Sequence, residues 1–196
     1  MSLTDRIHSH FQTAAQTTLD AARLAPQIDQ AARLVVHTLA QGNKILACGN
    51  GGSAADAQHF AATMVNRFEQ ERPGLAALAL TTDTSALTAI ANDHTYDQIF
   101  ARQIKALGQP GDVLLAISTS GNSPSVLQAV DAAHARGIAV IALTGRHGGS
   151  LAEQIHAADV FLCAPAESTA RIQEIHLLTL HCLCDAVDSV LLGVEE

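Results

Sequence analysis

Two hydroxyl- and glycine-rich stretches carry the chemistry that this chain can do. The first is Cys48-Gly49-Asn50-Gly51-Gly52-Ser53, which ends a short apolar run and opens an alanine-rich segment. The order strand, glycine loop, helix start is how α/β proteins build an anion site. Glycine lets backbone N–H groups approach a phosphate closely. The second is Ser118-Thr119-Ser120-Gly121-Asn122-Ser123-Pro124, after the apolar run Val113–Ile117. Ser123 before Pro124 reads as an ordinary helix cap. The block Ser118-Thr119-Ser120 exceeds what a cap needs, and its hydroxyls suit a phosphate. A phosphorylated small molecule is the expected ligand.

The elements that position these loops follow from periodicity. Leu3, Ile7, Phe11, Ala14, Thr18 and Ala22 form a helical stripe, and Pro26 opens a second helix reaching about Leu39. Apolar runs at Ile45–Cys48, Leu75–Leu80, Val113–Ile117 and Ala139–Leu143, with a weaker one at Asp159–Cys163, alternate with helical segments. Those segments cover roughly Ala54–Phe68, Ser85–Ala91, Tyr96–Leu107, Ser123–Ala135 and Gly149–Ile155. Strands of this kind predict a parallel sheet covered on both faces. A last helix, from about Ser168 to Leu192, is apolar around most of its circumference, which predicts cover on more than one side and a subunit interface. The expected organisation is one domain over 1–196: N-terminal helices 1–41, sheet and crossovers 42–165, and a C-terminal helix 166–196.

The chain has 196 residues, 48% of them apolar and 3% aromatic, so the core must rest on Ala, Leu, Ile and Val. The net charge of −8 and the lack of a basic cluster argue against direct nucleic-acid binding. No apolar run approaches the roughly 20 residues of a membrane helix, and the N-terminus lacks the order of a signal peptide. A cytoplasmic protein, free of membrane, is expected. Cys48, Cys163, Cys182 and Cys184 sit among apolar residues and read as buried free thiols.

Both loops, with Ala91-Asn92-Asp93 between them and Arg171-Ile172-Gln173-Glu174 near the end, resemble the SIS (sugar isomerase) domain family over nearly the whole chain. Within it the chain resembles the branch holding the phosphoheptose isomerases and the DnaA initiator-associating protein. The resemblance implies a flavodoxin-like three-layer α/β/α sandwich with a parallel five-stranded sheet plus N-terminal helices, and a homotetramer sharing a phosphosugar site. It assigns the ligand to Asn50, Gly51, Gly52, Ser53, Ser118, Thr119, Ser120 and Ser123, with Asn92, Asp93 and Gln173 nearby.

The isomerases convert sedoheptulose 7-phosphate to a glycero-manno-heptose 7-phosphate, which needs a base and a partner for the sugar oxygens. The resemblance assigns these to a glutamate one turn after His59 and to His181. Some members bind zinc through two histidines, that glutamate and the glutamine, here leaving His59, Gln173 and His181. The glutamate position is Thr63, which has no pKa suited to the task, and Glu174 is the nearest alternative. A threonine there, and the exposed pair Leu191-Leu192, resemble the DnaA-associating member instead. The resulting expectation is a regulator that binds a phosphosugar and DnaA, with no required cofactor. The alternative is an isomerase with catalytic His181, zinc being optional. A buried, hydrogen-bonded histidine is the plain reading of His181. Arg146, in the turn after Ala139–Leu143, is a weaker phosphate candidate. His176 reads as packing or surface, and His8, His10, His37, His94, His134, His147 and His156 as solvated.

Overall fold

A computed structural model describes residues 1–193; positions 194–196 of the expected C-terminal segment lie outside the described residues. Helix α1 (Leu3–Ala21) starts at a capping box in which Ser2 and Asp5 exchange side-chain and backbone hydrogen bonds. Helix α2 (Ala25–Ala40) carries Pro26 in its first turn. There follow β1 (Ile45–Gly49), α3 (Gly52–Val65), β2 (Ala77–Ala79), α4 (Thr84–Asp93), α5 (Ile99–Leu107), β3 (Val113–Ser118), α6 (Pro124–His134), β4 (Ala139–Thr144), β5 (Val160–Cys163) and α7 (Thr169–Leu192). All strand pairs are parallel, in the order β2-β1-β3-β4-β5. The expected α/β sandwich is therefore present, and the chain reverses its direction of winding between β1 and β3.

Two apolar layers hold the sheet. Ile45, Ala47, Val113, Leu115, Ile117 and Ile141 point to one face, against α2, α3 and α7. Leu46, Cys48, Leu114, Ala116, Val140 and Ala142 point to the other, against α5 and α6. Successive side chains in a strand alternate between faces. Here both faces are dry, so the alternation left no polar mark in the sequence. The core contains only two fully buried phenylalanines, Phe60 and Phe100.

Several boundaries depart from expectation for local reasons. The third helix stops at Val65 rather than Phe68, because Asn66 leaves the helical region. The helix expected over Gly149–Ile155 is a 3-10 segment, Arg146–Gln154, broken by left-handed backbone at His147, Gly148 and Gly149. Of the four thiols, Cys48 and Cys184 are buried, and burial pushes both up to about 12. Cys182, expected inside, is exposed. Helix α7 is long and apolar enough to cross a bilayer by composition. Its inner face is instead packed on the sheet and on α2 and α3.

Two polar contacts fasten α7. Arg72 donates from Nε to Asp188 Oδ1 at 2.6 Å, and its other nitrogens donate to the carbonyls of Thr63, Met64 and Pro73. Both partners are buried. The guanidinium thus binds the last carbonyls of α3, where a cation opposes the helix dipole. His176 is buried and donates from Nε2 to the Thr144 carbonyl at 2.9 Å. Burial lowers its pKa to about 4.

Removing one member of a buried ion pair strands the other. Arg72→Ala or Asp188→Ala should cost about 3–5 kcal/mol by denaturant titration, and the double replacement by apolar residues should recover much of it. For His176, the unfolded chain binds the proton near pH 6.5 and the folded chain only near pH 4. Its neutral form therefore contributes fully above pH 6.5, and stability is lost as pH falls from there toward 4. Thermal melting across that window should show a shallower slope for His176→Gln.

Candidate functional site

The two loops meet where β1 and β3 end side by side. Ligands bind at this reversal point in open α/β sheets, outside the carboxyl ends of the strands. Both following helices begin without a side-chain cap. The N-cap of α3 is Gly51, at φ +58, and the N-cap of α6 is Ser123, whose hydroxyl makes no capping bond. Ser123 Oγ instead lies 3.0 Å from Ser118 Oγ. The N–H groups of Gly51, Gly52 and Ser125 find no acceptor among the described residues. Two helix N-termini with open donors thus face one region, which suits an anion.

Asn50 joins the loops. Its amide donates to Ser125 Oγ at 2.9 Å and its carbonyl oxygen accepts from the Tyr96 hydroxyl at 2.8 Å. Tyr96 had no mark in the sequence beyond being the lone tyrosine. The second loop is buttressed from behind. Asn122 Oδ1 accepts from the Ser150 N–H, and the Gly121 carbonyl accepts from Leu151. Gly121, at φ +64, lies so close to the Gly148 carbonyl that a Cβ would stand 1.7 Å from that oxygen. Only glycine fits there. The glycine pair after β4 therefore shapes the second loop. Arg146 does not reach either loop; its side chain donates to the Glu167 carbonyl and Thr169 Oγ1.

The remaining candidates fall in different places. Thr119 and Ser120 are half-buried at the second loop. Ser53 is buried against Gly49, and Ser118, at the end of β3, is buried too. Asn92 and Asp93 are exposed at the end of α4 and bond each other at 2.8 Å. Gln173 lies against Gly52, where a Cβ would meet its amide nitrogen at 2.1 Å. Leu191 and Leu192 are partly exposed near the end of α7.

Helices α3 and α7 bring His59 and His181 together, Nε2 to Nε2 at 3.0 Å, with the rings edge to face. Phe68 flanks His181. One imidazole must donate and the other accept, so the pair holds a proton that either ring can carry. His181 is thus hydrogen-bonded to a neighbour, as its plain reading expects, but it is half-buried rather than buried, and its partner is another candidate site residue. The two imidazoles are zinc-type donors. Gln173, the third expected ligand, stands about two turns earlier on α7, against Gly52.

Thr63 is buried and offers no carboxylate. Glu174 is exposed and paired with Arg171, which also donates to the His10 carbonyl of α1. The carboxylate that sequence reasoning missed is Asp56, one turn before His59 on α3. Its Oδ2 is buried without a hydrogen-bond partner. Burial raises its pKa, and His59 pulls it partly back. A lone aspartate in an alanine-rich helix gives no signal of this; the orphaned oxygen exists only once the folded chain covers it.

A parallel sheet with two uncapped helix starts at its reversal point is the architecture of a phosphosugar-binding SIS domain. The SIS domain family profile matches residues 10–145, and the chain belongs to that family. It lies on the phosphoheptose isomerase branch. The phosphoheptose isomerase of Thiobacillus denitrificans is 79% identical over 100% of both chains, and that of Azoarcus is 62% identical over 100% of both. Among solved structures, phosphoheptose isomerase from Neisseria gonorrhoeae superposes with a TM-score of 0.92 at 52% identity, covering 96% of this chain and 100% of its own. The Francisella tularensis enzyme gives 0.94 at 45% identity, with the same coverage.

These relatives overturn the expectation of a non-catalytic, DnaA-associating regulator. That reading rested on Thr63 in place of the glutamate, together with the acidic composition and the Leu191-Leu192 pair. It gave too much weight to one position, while the histidine pair and Asp56 stand on the same stretch of α3 and its α7 neighbour.

Proposed function

We propose that this protein is a sedoheptulose 7-phosphate isomerase, interconverting that ketose with glycero-manno-heptose 7-phosphate. The observation that carries the reading is the His59–His181 pair beside two open phosphate loops, in a chain 79% identical to a phosphoheptose isomerase. The phosphate docks on the N–H groups of Gly51, Gly52 and Ser125 and on the hydroxyls of Ser118, Thr119, Ser120 and Ser123. Asn50 keeps the two loops in register. Asn92, Asp93 and Gln173 are the groups available to sugar hydroxyls.

Ketose–aldose exchange moves a proton between C1 and C2 through an enediol, while a second proton moves between the two oxygens. Asp56 takes the carbon-bound proton. Its covered Oδ2 has no hydrogen bond to give up, and its raised pKa brings it nearer the working pH, where a base is more effective. The histidine pair delivers and recovers the oxygen-bound proton. His59 and His181 also fit a zinc ion, with open positions left for water or substrate. When bound, such an ion would polarise the sugar carbonyl.

The working form is a homotetramer assembled through α1 and α7. In the single chain Leu3, Phe11 and Leu19 on α1 are each at least 70% exposed. A groove of about 370 Å³ between α1 and α7 is lined by Leu19, Ala22, Ile28, Leu178 and Cys182. Helices of 19 and 24 residues present the area that a stable interface needs. A second copy of the chain fits this face.

Purified protein should convert sedoheptulose 7-phosphate, and Asp56→Asn should lower kcat about 10²–10⁴-fold. Thr63→Ala should stay near the wild-type rate. Absence of turnover by the wild-type chain would sink the isomerase reading, whereas full activity in Asp56→Asn would remove only the base assignment. Light scattering should give four times the 20.5 kDa chain mass. A Phe11→Glu/Leu178→Glu variant should be smaller, and a monomeric wild type would disprove the assembly.

A further inference from the structure

We propose a second metal site, for a divalent transition ion of the zinc class, built from His134, His156 and Asp159 at the opposite end of the sheet from the sugar loops. His134 is the last residue of α6, and Asp159 immediately precedes β5. Both therefore lie at the edge where β4 and β5 begin, whereas the sugar loops follow the ends of β1 and β3.

Asp159 is fixed from three directions. Its Oδ1 accepts from the Val140 N–H at 2.8 Å. Its Oδ2 accepts from the His156 N–H at 2.7 Å and bonds His134 Nε2 at 2.8 Å. The His156 ring stacks on the His134 ring, with centroids 3.8 Å apart and planes 17° from parallel. One ligand atom from each of the three side chains falls within 4.8 Å of the others. Apart from that stack, packing places no demand on the His156 side chain. It is exposed, and its ring makes no hydrogen bond among the described residues.

This donor set has a definite preference. Two imidazoles and one carboxylate suit zinc, cobalt(II) or nickel(II), whereas magnesium and calcium take oxygen ligands. Metal–ligand bonds of about 2.0–2.2 Å in a tetrahedral site place ligand atoms about 3.3 Å apart. The His134–Asp159 contact must therefore open by about half an ångström, with His134 carrying its proton on Nδ1 instead. The nearly parallel rings cannot both aim at one ion as they stand, so His156 must turn. Its exposure leaves that rotation unhindered. The His156 main chain is already hydrogen-bonded to Asp159, so Asp159 and the backbone that carries His156 are held in place before the ion arrives. Water would complete the set. A bound ion would tie the C-terminus of α6 to the start of β5. The N-terminus of the same helix forms half of the phosphate site.

The experiment uses the full chain carrying His59→Ala and His181→Ala, so that no zinc-type pair remains at the sugar site. Cobalt(II) should bind this variant with one equivalent, visible d–d absorption and a rise in Tm of about 5 °C at a hundredfold excess over Kd. Magnesium should do nothing. Adding His156→Ala should abolish the absorption and the Tm rise. In the otherwise wild-type chain, the same His156→Ala change should lower the zinc stoichiometry by one equivalent. Failure of cobalt to bind the double variant overturns the site, as does binding that ignores His156→Ala. Neither result bears on isomerase turnover.

Discussion

The proposed phosphate site depends on two helix N-termini being left uncapped where the sheet reverses direction. Ser123 stands at the cap of α6 and could satisfy a backbone donor, yet its hydroxyl turns to Ser118. Gly51 has no side chain to offer α3. Open N–H groups at a helix start are destabilising unless water or a ligand meets them. Two such starts side by side are the mark of an anionic ligand. Much of the surrounding structure serves this arrangement: Asn50 bridges the loops, Asn122 and the glycines after β4 back the second, and Gln173 closes on Gly52.

The histidine pair makes a different demand. It needs α3 and α7 at a fixed separation, although neither helix start sets that distance. The separation follows from the apolar layer of Ala57, Phe60, Met64, Leu180 and Cys184, and from the buried Arg72–Asp188 contact. The proposed phosphate site and the histidine pair are thus anchored by separate parts of the fold. The first rests on the sheet ends, and the second on helix packing over one face.

The parallel sheet and both loops were legible because short apolar runs that end in glycine or serine and lead into helices match such a sheet and its ligand loops. The 3-10 segment after β4 was not, because the left-handed backbone at Arg146 and His147 is held by distant groups such as Glu167 and Thr169. Ser53 and Ser118 are both buried, a condition that the serines' surroundings set only in the folded chain. Thr63 misled because its resemblance to the DnaA-associating member spoke for one position. Asp56 escaped notice because the condition of its carboxylate is set by burial, which arises only in the folded chain. His134 and Asp159 lie 25 residues apart with no motif between them.

Arg72 lies outside the cleft, in the segment after α3, yet its fingers grip the carbonyls of Thr63 and Met64 while its charge is matched by Asp188. The spacing of the two imidazoles is therefore steadied by a clasp that contains neither of them. Selection or engineering could retune the cleft by altering that clasp alone, leaving each reactive group chemically unchanged.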